Sequence, residues 1–139
     1  MKSQLTKWTK IFLICTCFAV SILGFMVKLP TGFRHFDKEL HAVFYFIAAA
    51  FFNILFTNKN LLGHILIFGS LYLFGLSIEY AQEYSNKVFQ TRIHGRFDPE
   101  DVQYNLKGLI AFSILWIIFV GFLFVYNKRP IKEVVAKDD

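Results

Sequence analysis

Cysteine, proline and charge are all scarce in this chain: two Cys, three Pro and 18% charged residues among 139. Cys15 and Cys17 stand two apart, so on a helix they point to nearly opposite sides and cannot bridge within the chain. No CxxC and no Cys/His zinc spacing is present, which removes the common zinc modules. Pro30, Pro99 and Pro130 all lie outside the long apolar runs, so no helix is broken at mid-membrane as transporter sites often are. Low-complexity stretches, repeats of solenoid period and domain linkers are also missing. Residues 1–139 therefore read as one compact domain.

What is abundant is apolar surface, with 55% hydrophobic residues, 18 Phe and a mean hydropathy of +0.47. A soluble domain of this size has a different composition. Four runs, 11–27, 40–56, 61–80 and 109–126, each approach the ~20 residues that span ~30 Å of hydrocarbon. The expected fold is all-α, a polytopic bundle of four transmembrane helices. Lys2, Lys7 and Lys10 before the first run also suit a signal peptide, but the run is long and no A-x-A-like site follows it, so an uncleaved anchor is expected.

Orientation follows from the Lys and Arg near the membrane ends. With a cytoplasmic N-terminus the inside carries eight of them and the outside seven. The outer ones are interleaved with Asp37, Glu39, Glu83, Asp98, Glu100 and Asp101, whereas those of the two tails mostly stand unpaired. Both termini are expected in the cytoplasm, in a bacterial plasma membrane. The net charge of +5 calls for no nucleic acid, since attraction of the short basic tails to anionic lipid accounts for it.

In an up-and-down arrangement the loops 28–39 and 81–97 open on one side, and "TNKN" on the other. Spacing then aligns three polar stripes at that side. Asp37, His41 and Tyr45 recur every four residues, with Lys38 beside them. Glu79 and Gln82 are three apart, and at ~1.5 Å per residue Glu79 lies ~27 Å along the helix from Leu61. Asp98, Asp101, Asn105 and Gly108 form one face where the fourth helix starts. Asp37, His41, Glu79, Gln82, Asp101 and Asn105 are expected to form one cluster, with Arg96 or Arg92 folded over it.

The segments "DKELHAVFY", "IEYAQ" and "GRFDPEDVQYNLKG", in this order on four apolar runs, resemble the VanZ-like family of small integral membrane proteins. The resemblance covers about residues 34–121. It implies that Asp37, Lys38, His41, Tyr45, Glu79, Gln82, Asp101, Asn105 and Gly108 are the residues of the family's pattern, with Arg96 or Arg92 at its Arg position. It also suggests a link to the cell envelope and to glycopeptide resistance.

Two function classes stay open. In the first the cluster binds the polar head of a lipid-linked envelope intermediate or a lipidated glycopeptide. Lys38 and Arg96 then hold phosphate or carboxylate, while Glu79, Asp101 and Asn105 meet hydroxyls and amides. In the second His41, tuned by Asp37, does acid/base chemistry with Glu79 or Asp101 on a phosphate or glycan linkage. No Ser or Cys nucleophile accompanies the cluster, which favours binding.

Structural readings compete at several positions. Asp98 before Pro99 is the best N-cap of the chain. Glu79 could merely lock two helices by pairing with Arg96, Lys38 or His41. His64 falls at the opposite membrane face, away from the cluster. Gly63, Gly69, Gly75 and Ala48 to Ala50 suit close helix packing, and Asn53, Tyr72 and Ser77 suit interhelical hydrogen bonds. A metal set from His35, His41, His94 and the nearby acids matches no recognised spacing, so no metal and no cofactor are expected. Homo-oligomerisation is left open.

Overall fold

A computed structural model describes residues 5–26, 32, 36–57, 59–91 and 96–127. Arg34, His35, Arg92, His94 and the basic residues of the C-terminal tail lie outside the described residues. Four helices follow in order: α1, Lys7–Met26; α2, Asp37–Phe56; α3, Leu61–Phe89; and α4, Pro99–Asn127. All four are long and apolar enough to cross a membrane. The described residues contain no strand, and the fold is the expected all-α bundle of four helices.

The ends of the helices show how they alternate. Phe25, near the end of α1, packs against His41 near the start of α2, with ring centroids 4.7 Å apart and the rings tilted by 42°. At the other end the Lys10 ammonium donates to the Leu55 carbonyl (3.4 Å). The start of α4 meets the start of α2 through Asn105 and His41, whereas α3 runs back between them. The ends of α1 and α3 and the starts of α2 and α4 therefore share one end of the bundle, hereafter its polar end.

Between helices in hydrocarbon the hydrophobic effect supplies little, so close approach of small residues and polar contacts must do the holding. The most extensive interface joins α2 to α4. A Cβ added at Gly108 would overlap the backbone carbonyl of Ala42, so the α4 backbone lies directly on that of α2. Ala48, Ala49 and Leu109 are buried beside it, and Phe46 meets Phe112 edge-on at 5.7 Å. Of the glycines in α3, Gly75 lies against Tyr45 and Asn105, a Cβ at Gly63 would make an ordinary 3.4 Å contact with Thr57, and Gly69 has open space around it. Close packing thus explains Gly75 and not Gly63 or Gly69.

On α1, Phe18 fits between Phe52 (6.1 Å) and Phe74 (4.9 Å), and Phe25 between His41 and Phe44. Cys15 is exposed and Cys17 half-buried, as a spacing of two on a helix requires. Large apolar side chains left on the outside of every helix, among them Phe12, Ile54, Leu66 and Ile118, are the surface that lipid would cover.

Two boundaries differ from the hydropathy runs. Residues 81–89, expected as loop, continue α3 to Phe89, where Gln90 adopts a left-handed conformation (φ 51°) and ends the helix. The extension is polar but helical because Gln82 is anchored and Glu83 pairs with Lys87 one turn on at 2.9 Å. α4 begins ten residues before its apolar run, since Asp98 Oδ1 accepts the Glu100 N–H (2.8 Å) and Pro99 occupies the first helical position. Asp98 is thus the cap that its context suggests.

Candidate functional site at the polar end

His41 is the centre of the polar end. Its side chain, 6% exposed, points from α2 at α4. Nδ1–H donates to Asn105 Oδ1 at 2.9 Å, which fixes the ring and turns Nε2 towards Asp101. Nε2 stands 4.0 Å from Asp101 Oδ2, beyond hydrogen-bond length. Asp101 Oδ1 is fully buried and has no hydrogen-bond partner among the described residues. Asp37 completes the group from the first turn of α2, four residues before His41. Helix spacing brings these residues together: Asp37 and His41 share one face of α2, and Asp101 and Asn105 share one face of α4.

Tyr45 extends the stripe one turn deeper and is 1% exposed. Its hydroxyl and Asn105 Nδ2 both crowd Gly75, where an added Cβ would lie 2.8 Å from each. The α2 and α4 stripes are thereby pressed onto α3. This approach is what a glycine at position 75 permits.

Glu79, 1% exposed, is the most buried charged residue described. Its Oε2 accepts the backbone N–H of Asp98 at 3.1 Å, so the α3 carboxylate serves an otherwise unsatisfied donor just ahead of α4. The structural ion pair with Arg96, Lys38 or His41 does not form among the described residues. Asp101, Asp98 and Asp37 all lie near enough to repel it electrostatically. Gln82, one turn on, turns to α1 and donates from Nε2 to the Phe25 carbonyl (2.7 Å).

The two cations sit apart from this interior. Lys38 forms an ion pair with Glu100 that ties the starts of α2 and α4 together, with both side chains partly exposed. Arg96 is exposed and makes no ion pair among the described residues. Asp37, His41, Asp101 and Asn105 therefore form one constellation, with Tyr45 and Glu79 at its edge. Gln82 faces the neighbouring α1, and Arg96 is not folded over the cluster.

A second polar network lies at the other end, where sequence reasoning set His64 aside. His64 is buried, with Nδ1 donating to Asn53 Oδ1 (2.8 Å) and Nε2 3.0 Å from Ser113 Oγ. Its ring stacks on Trp116 at 4.2 Å, almost parallel to it. Asn53 does make the interhelical bond expected of it, whereas Ser77 turns back to the Leu73 carbonyl of its own helix. The signal that could have found this network is three polar side chains inside apolar runs, each needing a partner in a medium without water. All partners of the His64 ring are satisfied, so this network reads as a structural joint of α2, α3 and α4.

Compared with family models, with curated proteins and with solved structures, the chain matches none in any of the three.

Proposed function

We propose that this chain is a VanZ-like integral membrane protein that binds the polar head of a lipid-linked envelope component or glycopeptide at the extracytoplasmic surface, with both termini in the cytoplasm. The observation that carries the reading is the gathering of Asp37, His41, Tyr45, Glu79, Asp101 and Asn105 at one end of a bundle whose outside is apolar. Buried polar groups in a membrane protein are costly without a use, and this set is open to the aqueous side through half-buried Asp37. An amphiphile can place its chain along the exposed apolar helices and its head at this end. Exposed Arg96 and partly exposed Lys38 stand at the rim, where an anionic head would meet them.

Native mass spectrometry of the detergent-purified protein tests this. The wild type is expected to carry an anionic amphiphile, and Lys38→Ala and Arg96→Ala are each expected to carry less. Retention untouched by loss of either cation would remove the anionic head group from the proposal. Impermeant labelling of single Cys probes, in a background lacking Cys15 and Cys17, checks orientation: a probe at Arg96 should react from outside intact cells and one at Lys59 should not.

One observation favours catalysis as a second reading. His41 is oriented through Nδ1 by Asn105 and faces Asp101 through Nε2, the arrangement of a positioned acid/base with Glu79 nearby. A chemical product formed on wild-type membranes and missing with His41→Gln would establish that reading over simple binding.

A further inference from the structure

The space between Asp37, His41 and Asp101 is built for a positive charge. Each offers one ligand atom, and the three atoms lie within 4.8 Å of one another. Donors around a first-row divalent ion bound at ~2.1 Å stand about 3.4 Å apart in a tetrahedral set, so side-chain shifts of roughly an ångström close this group on an ion.

Three further observations point to a cation. His41 Nε2, on a side chain 6% exposed, and Asp101 Oδ2 face each other across 4.0 Å, too far for a direct hydrogen bond. Asp101 Oδ1, fully buried, has no hydrogen-bond partner among the described residues. And the groups gathered near this space are carboxyls, Asp37 from α2, Asp98 and Asp101 at the start of α4 and Glu79 from α3, whereas Lys38 is engaged by Glu100 and Arg96 is exposed. Carboxyls crowded in this way favour either a bound cation or protonation.

We propose that Asp37, His41 and Asp101 hold a divalent transition-metal ion, with Asn105 orienting the imidazole from behind. One imidazole and two carboxylates suit zinc or manganese better than magnesium, which prefers oxygen alone and retains its waters. The His41–Asn105 bond supplies the outer-sphere contact that metal-binding histidines regularly make through their second nitrogen. Half-buried Asp37 leaves the remaining coordination position towards the aqueous side, open to water or to an oxygen ligand. Helix spacing had grouped Asp37, His41 and Asp101 in one cluster, but they match no recognised metal spacing, because Asp101 is 60 residues further on from His41 and is delivered by α4. The inference rests on donor geometry and not on the head-group reading, and Zn2+ as the only added ligand keeps the two separable.

The test uses the full chain in detergent, carrying an affinity tag without histidine and Ser in place of Cys15 and Cys17. After chelation, Zn2+ is titrated while bound metal per chain and thermal unfolding are followed. One ion per chain and a raised Tm are expected. Asp101→Asn and His41→Gln, both close in shape to the native residues, should weaken binding by about 100-fold or more, and Asn105→Ala by about 10- to 100-fold. X-ray absorption on the zinc-loaded protein needs no variant and should show one imidazole among oxygen ligands. Wild type binding no more zinc than His41→Gln would overturn the proposal and leave an imidazolium–carboxylate pair. Ligation by two or more imidazoles would overturn it equally, by placing the ion elsewhere.

Discussion

Gly108→Leu is expected to prevent α2 and α4 from packing, and Gly108→Ala to lower stability by about 1–3 kcal/mol, the range for forcing atoms into a filled interface. The reason is local. A Cβ at position 108 falls on the Ala42 carbonyl, and backbone, unlike the end of a flexible side chain, cannot turn aside. Separation of the two backbones would also draw Asp101 and Asn105, seven and three residues before Gly108, away from His41, so site and fold fail together. Thermal unfolding in detergent checks the stability. Gly69→Ala is the control, because a Cβ there meets nothing within 4 Å, and it should unfold near the wild-type temperature. Equal losses at positions 69 and 108 would show that helix propensity or lipid contact, and not the α2–α4 approach, sets the cost.

Glu79→Ala is expected to cost roughly 2–4 kcal/mol, through the cavity left by a side chain 1% exposed and the loss of the acceptor for the Asp98 N–H. Glu79→Gln keeps both the volume and a carbonyl oxygen for that N–H, and it puts an uncharged amide in place of a carboxyl that stands near Asp37, Asp98 and Asp101. Its unfolding temperature should therefore stay near the wild-type value or rise above it. The comparison is decisive for the role of Glu79. If the charge held the bundle by an ion pair, Gln would lose as much as Ala; if the acceptor alone matters, only Ala will fall. A Gln variant that folds normally yet no longer retains an amphiphile would assign the charge to ligand binding.

Much of the fold was legible because hydrocarbon imposes a simple rule. A run of about 20 apolar residues must be helical so that its backbone groups satisfy one another, and four such runs therefore appear as α1 to α4. The pairing of residues within a helix was legible for a similar reason. Fixed spacing put Asp37 with His41, and Asp101 with Asn105, on single faces, and the Asp98-Pro99 pair marked where α4 begins. Hydropathy misjudged the end of α3, since a polar helix beyond the apolar run carries no hydropathy signal; Gln82 and the Glu83–Lys87 pair extend it.

What only the tertiary structure decided is which face meets which, because that depends on close approach at single residues and on contacts between distant positions. Gly108 on Ala42 sets the rotation of α4 against α2 and so aims Asp101 and Asn105 at His41. The same packing gives Lys38 to Glu100 and Glu79 to the Asp98 N–H, where charge alone suggested Glu79 with a cation. It likewise joins His64 to Asn53 and Ser113, residues that no spacing connects. Spacing along one helix is a property of local geometry, with 3.6 residues per turn wherever a helix forms. Partnership across helices depends on which side chains are small enough to let two backbones touch, and only the folded bundle determines that.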